Sequence, residues 1–255
     1  MLHYRSFEEI VRHPGLRIVL VKGMPSPWGQ AAKTIFEIKG LDYVAAPWEV
    51  FELNADIVAW AGEASAPIVA WQNEKPIDRW IDILYLAERL APEPALIPAD
   101  AGQRALMIGL SNEICGAMGI GWNRRLQMLA PSFEPGVEPS NISRMGEKYR
   151  YNHADALAAG ERTAQSLLAL GAQLKAQYAK GVHYFVGGAL SALDIYWTAF
   201  ATFFEPLPKA QCPMPDELRP GFTVSDPVIK AALDPLLMEH RARIFRAHFR
   251  DPMEL

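Results

Sequence analysis

The chain has 255 residues, half of them hydrophobic, and a formal net charge of −4. That is enough apolar material for a sizeable core, and the lack of any basic stripe excludes phosphate-backbone binding, so no nucleic-acid partner is expected. Its two cysteines, Cys115 and Cys212, form no CxxC pair and stand beside no close Cys/His set, which argues against structural zinc and a disulfide framework.

Residues 1–15 read as a polar, irregular extension without the apolar run of a signal peptide. Residues 16–22 (LRIVLVK) hold a short β-branched run, the pattern of a buried strand. The breaker cluster Gly23-Met24-Pro25-Ser26-Pro27 follows, with Ser26 suited to an N-cap and Pro27 to the first helical position. A helix is expected from Pro27 to Lys39, stopping at Gly40, then a second strand over Asp42–Ala46. The stretch Pro47–Gly62 reads as helix plus loop. Ile68–Trp71 and Lys75–Ile77 read as two strands around a turn, and a helix over Arg79–Leu90 closes the unit. Pro92, Pro94 and Pro98 mark residues 91–102 as an interdomain linker. Beyond it strand signals are almost absent. Helices are expected over Gln103–Leu129, Arg144–Ala179, Ser191–Phe204 and Ile229–Phe249, with loops around Pro131–Pro139 and over Glu205–Pro220. The organisation is therefore an α/β domain over 16–90 and an all-helical domain over 103–255.

Four features carry chemistry. A helix N-terminus at Ser26 gathers unsatisfied N–H groups and the positive end of the dipole, which favours an anion, and a hydroxyl there adds a directed donor. Taken alone, Ser26 reads more readily as a plain cap. Proline opening a strand in Ala66-Pro67-Ile68 removes a ladder donor, which a cis bond or an edge strand accommodates. Asp78, at a strand-to-helix junction beside Arg79, can cap the helix or accept from a ligand ammonium. Ser191 and Asp194 have the spacing of a capping box, with Asp in place of the usual Glu, and here the structural role wins.

Together these features resemble the glutathione transferase family. Ser26–Tyr43 (SPWGQAAKTIFEIKGLDY) is similar, without gaps, to the tau class pattern S-P-F-G followed by K-G-x-x-Y, within a serine-type, bacterial-type member. The resemblance covers about residues 16–250. It implies an α/β thioredoxin-like N-terminal domain plus an all-α C-terminal domain. It implies glutathione as co-substrate, with Ser26 holding the thiolate and Trp28, Ala66, Pro67, Asp78 and Arg79 around the tripeptide. Ala66-Pro67 matches the residue before the family's cis-proline and that proline, and Asp78 stands where the family has the Glu of its Glu-Ser pair. Arg79 takes the place of the Ser of that pair, and Ala189 that of an Asp often found after the glycine preceding the capping box. The chain has neither a tyrosine on its first strand nor a cysteine at position 26, unlike the tyrosine-type and cysteine-type members.

The implied activity is transfer of glutathione to a small hydrophobic electrophile, held near Glu113, Met118, Trp122 and Arg125, by a cytoplasmic homodimer. The same thiolate would serve a reductase, peroxidase or isomerase, and a non-catalytic binding protein of this fold is the reading from another class. The six scattered histidines show no ligand spacing, so no metal is expected. Neither GxxxxGK[ST] nor GxGxxG occurs, so no nucleotide cofactor is expected. No apolar run approaches the roughly 18 residues a membrane span needs, so no membrane partner is expected.

Overall fold

The computed structural model describes residues 2–50 and 52–255. The chain divides into two compact units, one of residues 1–96, 207–215 and 248–255, the other of 97–206 and 216–247.

The first unit is built on a three-stranded sheet of order β2-β1-β3, from β1 (Leu16–Val21), β2 (Tyr43–Trp48) and β3 (Ile68–Trp71). β1 runs parallel to β2 and antiparallel to β3, and Ile77 adds a single antiparallel bridge beside Val69. The expected strand at 75–77 is thus reduced to one bridge. β1 is buried along nearly its whole length, which explains a continuous apolar run in place of alternation. Val19 joins Ile10, Ala46, Ile57, Ala61 and Ile68 in one core cluster. Leu20, its neighbour on the opposite face, reaches toward Gly29 of α2 (Pro27–Ile38), where a Cβ would stand 3.1 Å from Leu20 Cδ2. α2 packs against α4 (Trp80–Leu90). The exception in the strand, Arg17, is buried but donates to the carbonyls of Val11 and Gln72.

Residues 1–15 are not an irregular extension. Phe7–Arg12 form α1, closed by a capping box between Ser6 and Glu9, with Ile10 fully buried against the sheet and Tyr4 bridging to Ala45. Apolar burial of Ile10, which stabilises by about 1.5–3 kcal/mol, ties this segment down, and Phe7 packs against the same cluster. The mixed stretch after β2 holds α3 (Ala55–Ala61), which supplies Ile57 and Ala61 to the same cluster.

Residues 248–255 also belong to this unit. Buried Lys33 of α2 donates to the Glu254 carbonyl at 2.8 Å, and Gln30 donates to the same oxygen at 2.9 Å. Glu254 accepts in turn from the Leu2 N–H at 2.7 Å, and Arg250 pairs with Glu37 at 3.3 Å. Burial pulls the Lys33 ammonium below its ordinary pKa, and the carboxylates of Glu37 and Glu254 oppose that shift.

Every described element of the second unit is helical. Where single long helices are expected the chain breaks. The first splits into α5 (Ala101–Cys115) and α6 (Ile120–Leu129). A Cβ at Gly119 would stand 2.7 Å from the carbonyl oxygens of Asn112 and Glu113, so only glycine lets the chain turn over the end of α5. The second splits into α7 (Asn141–Lys148) and α8 (His153–Tyr178), with Arg150 in the left-handed region at φ 48° and Asn152 capping α8 through the Asp155 N–H. The third shortens to α9 (Ala192–Phe200) with a 3-10 turn behind it. The loop that follows contains α10 (Arg219–Phe222), and the last helix divides into α11 (Pro227–Ala232) and α12 (Pro235–His248).

Asp194 lies in the core of this unit. Ser191 donates to it through both its N–H (2.9 Å) and its hydroxyl (2.8 Å), and the Phe185 N–H adds a third bond at 3.0 Å. The capping box is present as the spacing of Ser191 and Asp194 predicts. A partner that local sequence does not reveal is His240 of α12, whose Nε2 lies 2.9 Å from Asp194 Oδ1, with both side chains fully buried.

Candidate functional site

Ser26 is the N-cap residue of α2 and is 7% exposed. Its carbonyl accepts from the Gln30 N–H at 2.9 Å, and its own N–H donates to the Met24 carbonyl at 2.8 Å. Its hydroxyl makes no capping hydrogen bond. Ser26 Oγ lies over the first turn, 3.8 Å from where a Cβ would stand at Gly29. Glycine there keeps that turn open beside the hydroxyl. Pro27 at the first helical position has no N–H to leave unpaired, and an α-helix N-terminus with an uncapping hydroxyl is the kind of place that favours an anion. Trp28 follows in the same turn, half-buried.

Sheet register brings the other segments to the same edge. Val19 pairs with Ile68 in antiparallel sense, so the Ala66–Pro67 segment that leads into β3 approaches the end of β1 from which the chain runs on to Ser26. The Ala66–Pro67 peptide is cis. The antiparallel bridge from Val69 to Ile77 directs the residues that follow, Asp78 and Arg79, toward the same end. Residues 26, 66, 67, 78 and 79 therefore gather at one end of the sheet.

Arg79 is the N-cap residue of α4, one place before the helix begins, and its side chain makes no capping bond. Its guanidinium is 74% exposed and pairs with Asp82 at 3.8 Å, not with Asp78. An ion pair this exposed is worth about 1 kcal/mol or less, so a ligand carboxylate can compete for the arginine.

The residues expected beside the electrophile fall on several partners within the helical unit. Glu113 accepts from the Ser166 hydroxyl at 2.8 Å, and Trp122 meets Tyr149 edge-on at 5.1 Å. Met118 is exposed with φ 64°. Arg125 is buried, with its guanidinium over the Phe203 ring. Burial pushes the Cys115 thiol well up, which keeps it protonated and inert as a nucleophile. Among the described residues no group of three or more His, Cys, Asp or Glu side chains is placed to hold a metal ion, and no helix is long and apolar enough to cross a membrane.

No protein-family model matches the chain, and no curated protein matches it. Solved structures do. A glutathione S-transferase from Methylobacillus flagellatus with glutathione bound superposes with a TM-score of 0.67 at 13% identity, over 94% of this chain and 100% of that one. A rice glutathione transferase in complex with glutathione gives 0.60 at 17% identity, over 94% and 93%. A β-etherase from a Sphingobium species gives 0.57 at 17% identity, over 89% and 99%. The chain has the glutathione transferase fold, an α/β thioredoxin-like domain followed by an all-α one.

Proposed function

We propose that the protein is a serine-type glutathione transferase that holds the glutathione thiolate between the Ser26 hydroxyl and the N-terminus of α2, for attack on a small hydrophobic electrophile. The observation that carries this reading is the Ser26 hydroxyl itself, placed at a helix N-terminus yet not used to cap it. The likeness in fold to proteins crystallised with glutathione supports it. So does the strand register that directs the segments holding Ala66, Pro67, Asp78 and Arg79 toward the end of β1 from which the chain runs on to Ser26. The homodimer and the cytoplasmic setting implied by the sequence resemblance belong to the same reading.

The energetics are sufficient. A free thiol has a pKa of about 8.5, so roughly 3% is thiolate at pH 7. Raising that share to about three quarters needs about 2.7 kcal/mol of preferential stabilisation of the anion. A hydrogen bond to a charged group supplies about 1.5–3 kcal/mol, and a helix N-terminus about 0.3–1 kcal/mol, more when partly buried. No general base is required. Asp78 is placed to accept from the ligand ammonium, and Arg79 offers a planar fork to the adjacent carboxylate. Attack by the same thiolate yields transfer, cleavage or isomerisation according to what leaves afterwards, and the likeness to a protein named as a β-etherase keeps cleavage within this reading.

A thermal shift with glutathione tests the reading. At about 100 times Kd the ligand should add about 2.7 kcal/mol of stability. No shift at millimolar glutathione would favour a non-catalytic binding protein of the same fold. Calorimetry on Arg79→Ser resolves the arginine's part. The variant should bind glutathione about 3- to 10-fold more weakly, since one charge-assisted contact at an exposed site is lost. Binding by Arg79→Ser where the natural protein shows no heat would mean that Arg79 blocks the pocket.

A further inference from the structure

Arg125 is a buried cation with no anion beside it. It is 8% exposed, and its guanidinium carbon lies 4.8 Å from the Phe203 ring centroid and 5.7 Å from that of Phe222. The two rings stack on each other at 5.6 Å and 23°. Among the described residues the guanidinium's other contact is Nη1 with the Met128 sulfur at 3.8 Å, and Nε is buried without a hydrogen-bond partner. Four other buried cations of the chain each reach an oxygen. Arg124 donates to the Phe203 carbonyl at 3.1 Å and to Gln127 Oε1, and Gln127 passes the contact on to Asp226 at 2.8 Å. Lys33 donates to the Glu254 carbonyl, Lys39 pairs with Glu88 at 2.8 Å, and Arg17 donates to two carbonyls. Arg125 reaches no oxygen.

Removing a guanidinium from water costs several kcal/mol. Two aromatic faces return about 0.5–2 kcal/mol, and a sulfur contact adds little. The balance is unfavourable unless an oxyanion completes it. A guanidinium fork matches a carboxylate with two parallel hydrogen bonds, and the Phe203, Phe222 and Met128 side chains around it suit an apolar body better than a hydrated inorganic ion. We propose that the helical unit binds a small organic carboxylate, aromatic in the simplest case, with its carboxyl group on the Arg125 guanidinium. The site lies wholly within the helical unit, so it stands or falls apart from the glutathione reading.

The test is titration of the whole chain with benzoate, without glutathione and at low ionic strength, followed by calorimetry and thermal melting. Benzyl alcohol serves as the uncharged probe and inorganic phosphate as the hydrated anion. Benzoate should bind and raise the melting temperature, while benzyl alcohol and phosphate should do neither. Arg125→Met removes the charge and keeps an apolar side chain of similar length among apolar neighbours. It should melt at or above the wild-type temperature, because an unpaired buried charge is gone. Its benzoate affinity should fall about 10- to 100-fold, the loss of a charge-assisted pair. Arg125→Lys, which keeps the charge and loses the fork, should fall between. The proposal is overturned if benzoate has no effect on the wild type, if its effect survives in Arg125→Met, or if phosphate matches it. It is overturned equally if Arg125→Met melts well below wild type and benzoate moves neither protein, which would leave the arginine a packing role alone.

Discussion

Replacing Ser26 by Ala should cut turnover with glutathione about 5- to 40-fold at pH 7 while weakening glutathione binding only about 3- to 4-fold. The range is one hydrogen bond to a charged sulfur, about 1.5–3 kcal/mol, or about one to two pH units on the thiol. The sign is fixed by which form loses its donor. Ser26 stabilises the thiolate only, so its loss raises the bound thiol's pKa and moves the rising limb of the pH–rate profile to higher pH. Wild type and variant should therefore converge above about pH 9, where the thiol ionises unaided. Ser26 is buried and its hydroxyl is not spent on the helix, so the substitution removes no cap bond and should leave the fold intact. Superimposable pH profiles would remove Ser26 from the mechanism and leave the helix N-terminus as the sole source of acidification.

The largest effect on stability should come from Asp194→Ala, a loss of about 3–5 kcal/mol. Asp194 and His240 are both fully buried, and the carboxylate also accepts from the Ser191 N–H and hydroxyl and from the Phe185 N–H. Truncation leaves four buried donors without an acceptor, and each such orphan costs about 1–3 kcal/mol. Breaking a buried pair by removing one partner costs about 3–5 kcal/mol. This exceeds the roughly 0.5–2 kcal/mol of a helix cap alone, because the residue joins α9, the turn at Phe185 and α12. Urea denaturation of Asp194→Ala and His240→Ala, with the double variant, separates the terms. The double variant should cost less than the two singles together. Turnover per folded molecule should be unchanged, and a normally stable Asp194→Ala without turnover would contradict a structural role.

Local signals carried the first unit far. The apolar run of β1, the Ser26-Pro27 start of α2 and the hairpin after Pro67 each lie within a few residues of what they specify. Register then follows from those strands and directs the segments that hold Pro67 and Asp78 toward the end of β1 that leads to Ser26. Other features depend on partners distant in sequence. Ile10 is apolar among charged neighbours, and its burial is decided by Val19 and Ala46. A signal was present there too, since Ser6 and Glu9 have capping-box spacing. The breaks in the long helices were masked because Gly119 and Arg150 interrupt otherwise continuous helical composition, and one glycine in a helix costs only about 1 kcal/mol. His240 lies 46 residues from Asp194, and nothing in its own neighbourhood announces a carboxylate. Arg125 is similar, because its companion Phe203 comes from the end of an expected helix and Phe222 from a stretch to which the sequence assigns no element.

The return of residues 248–255 to the first unit bears on the order in which the chain can be finished during synthesis. The acceptor for the buried Lys33 ammonium is the Glu254 carbonyl, 221 positions downstream. Until that stretch has left the ribosome, α2 carries a charge that must stay hydrated, and the helix presenting Ser26 cannot close its outer face. The helical unit, whose residues 97–206 and 216–247 emerge before that closing segment, can consolidate around Asp194 and His240 while the first unit is still waiting. A chain truncated before residue 248 should thus hold a protease-resistant second unit and a first one that is still open, the reverse of the order in which their first residues were made.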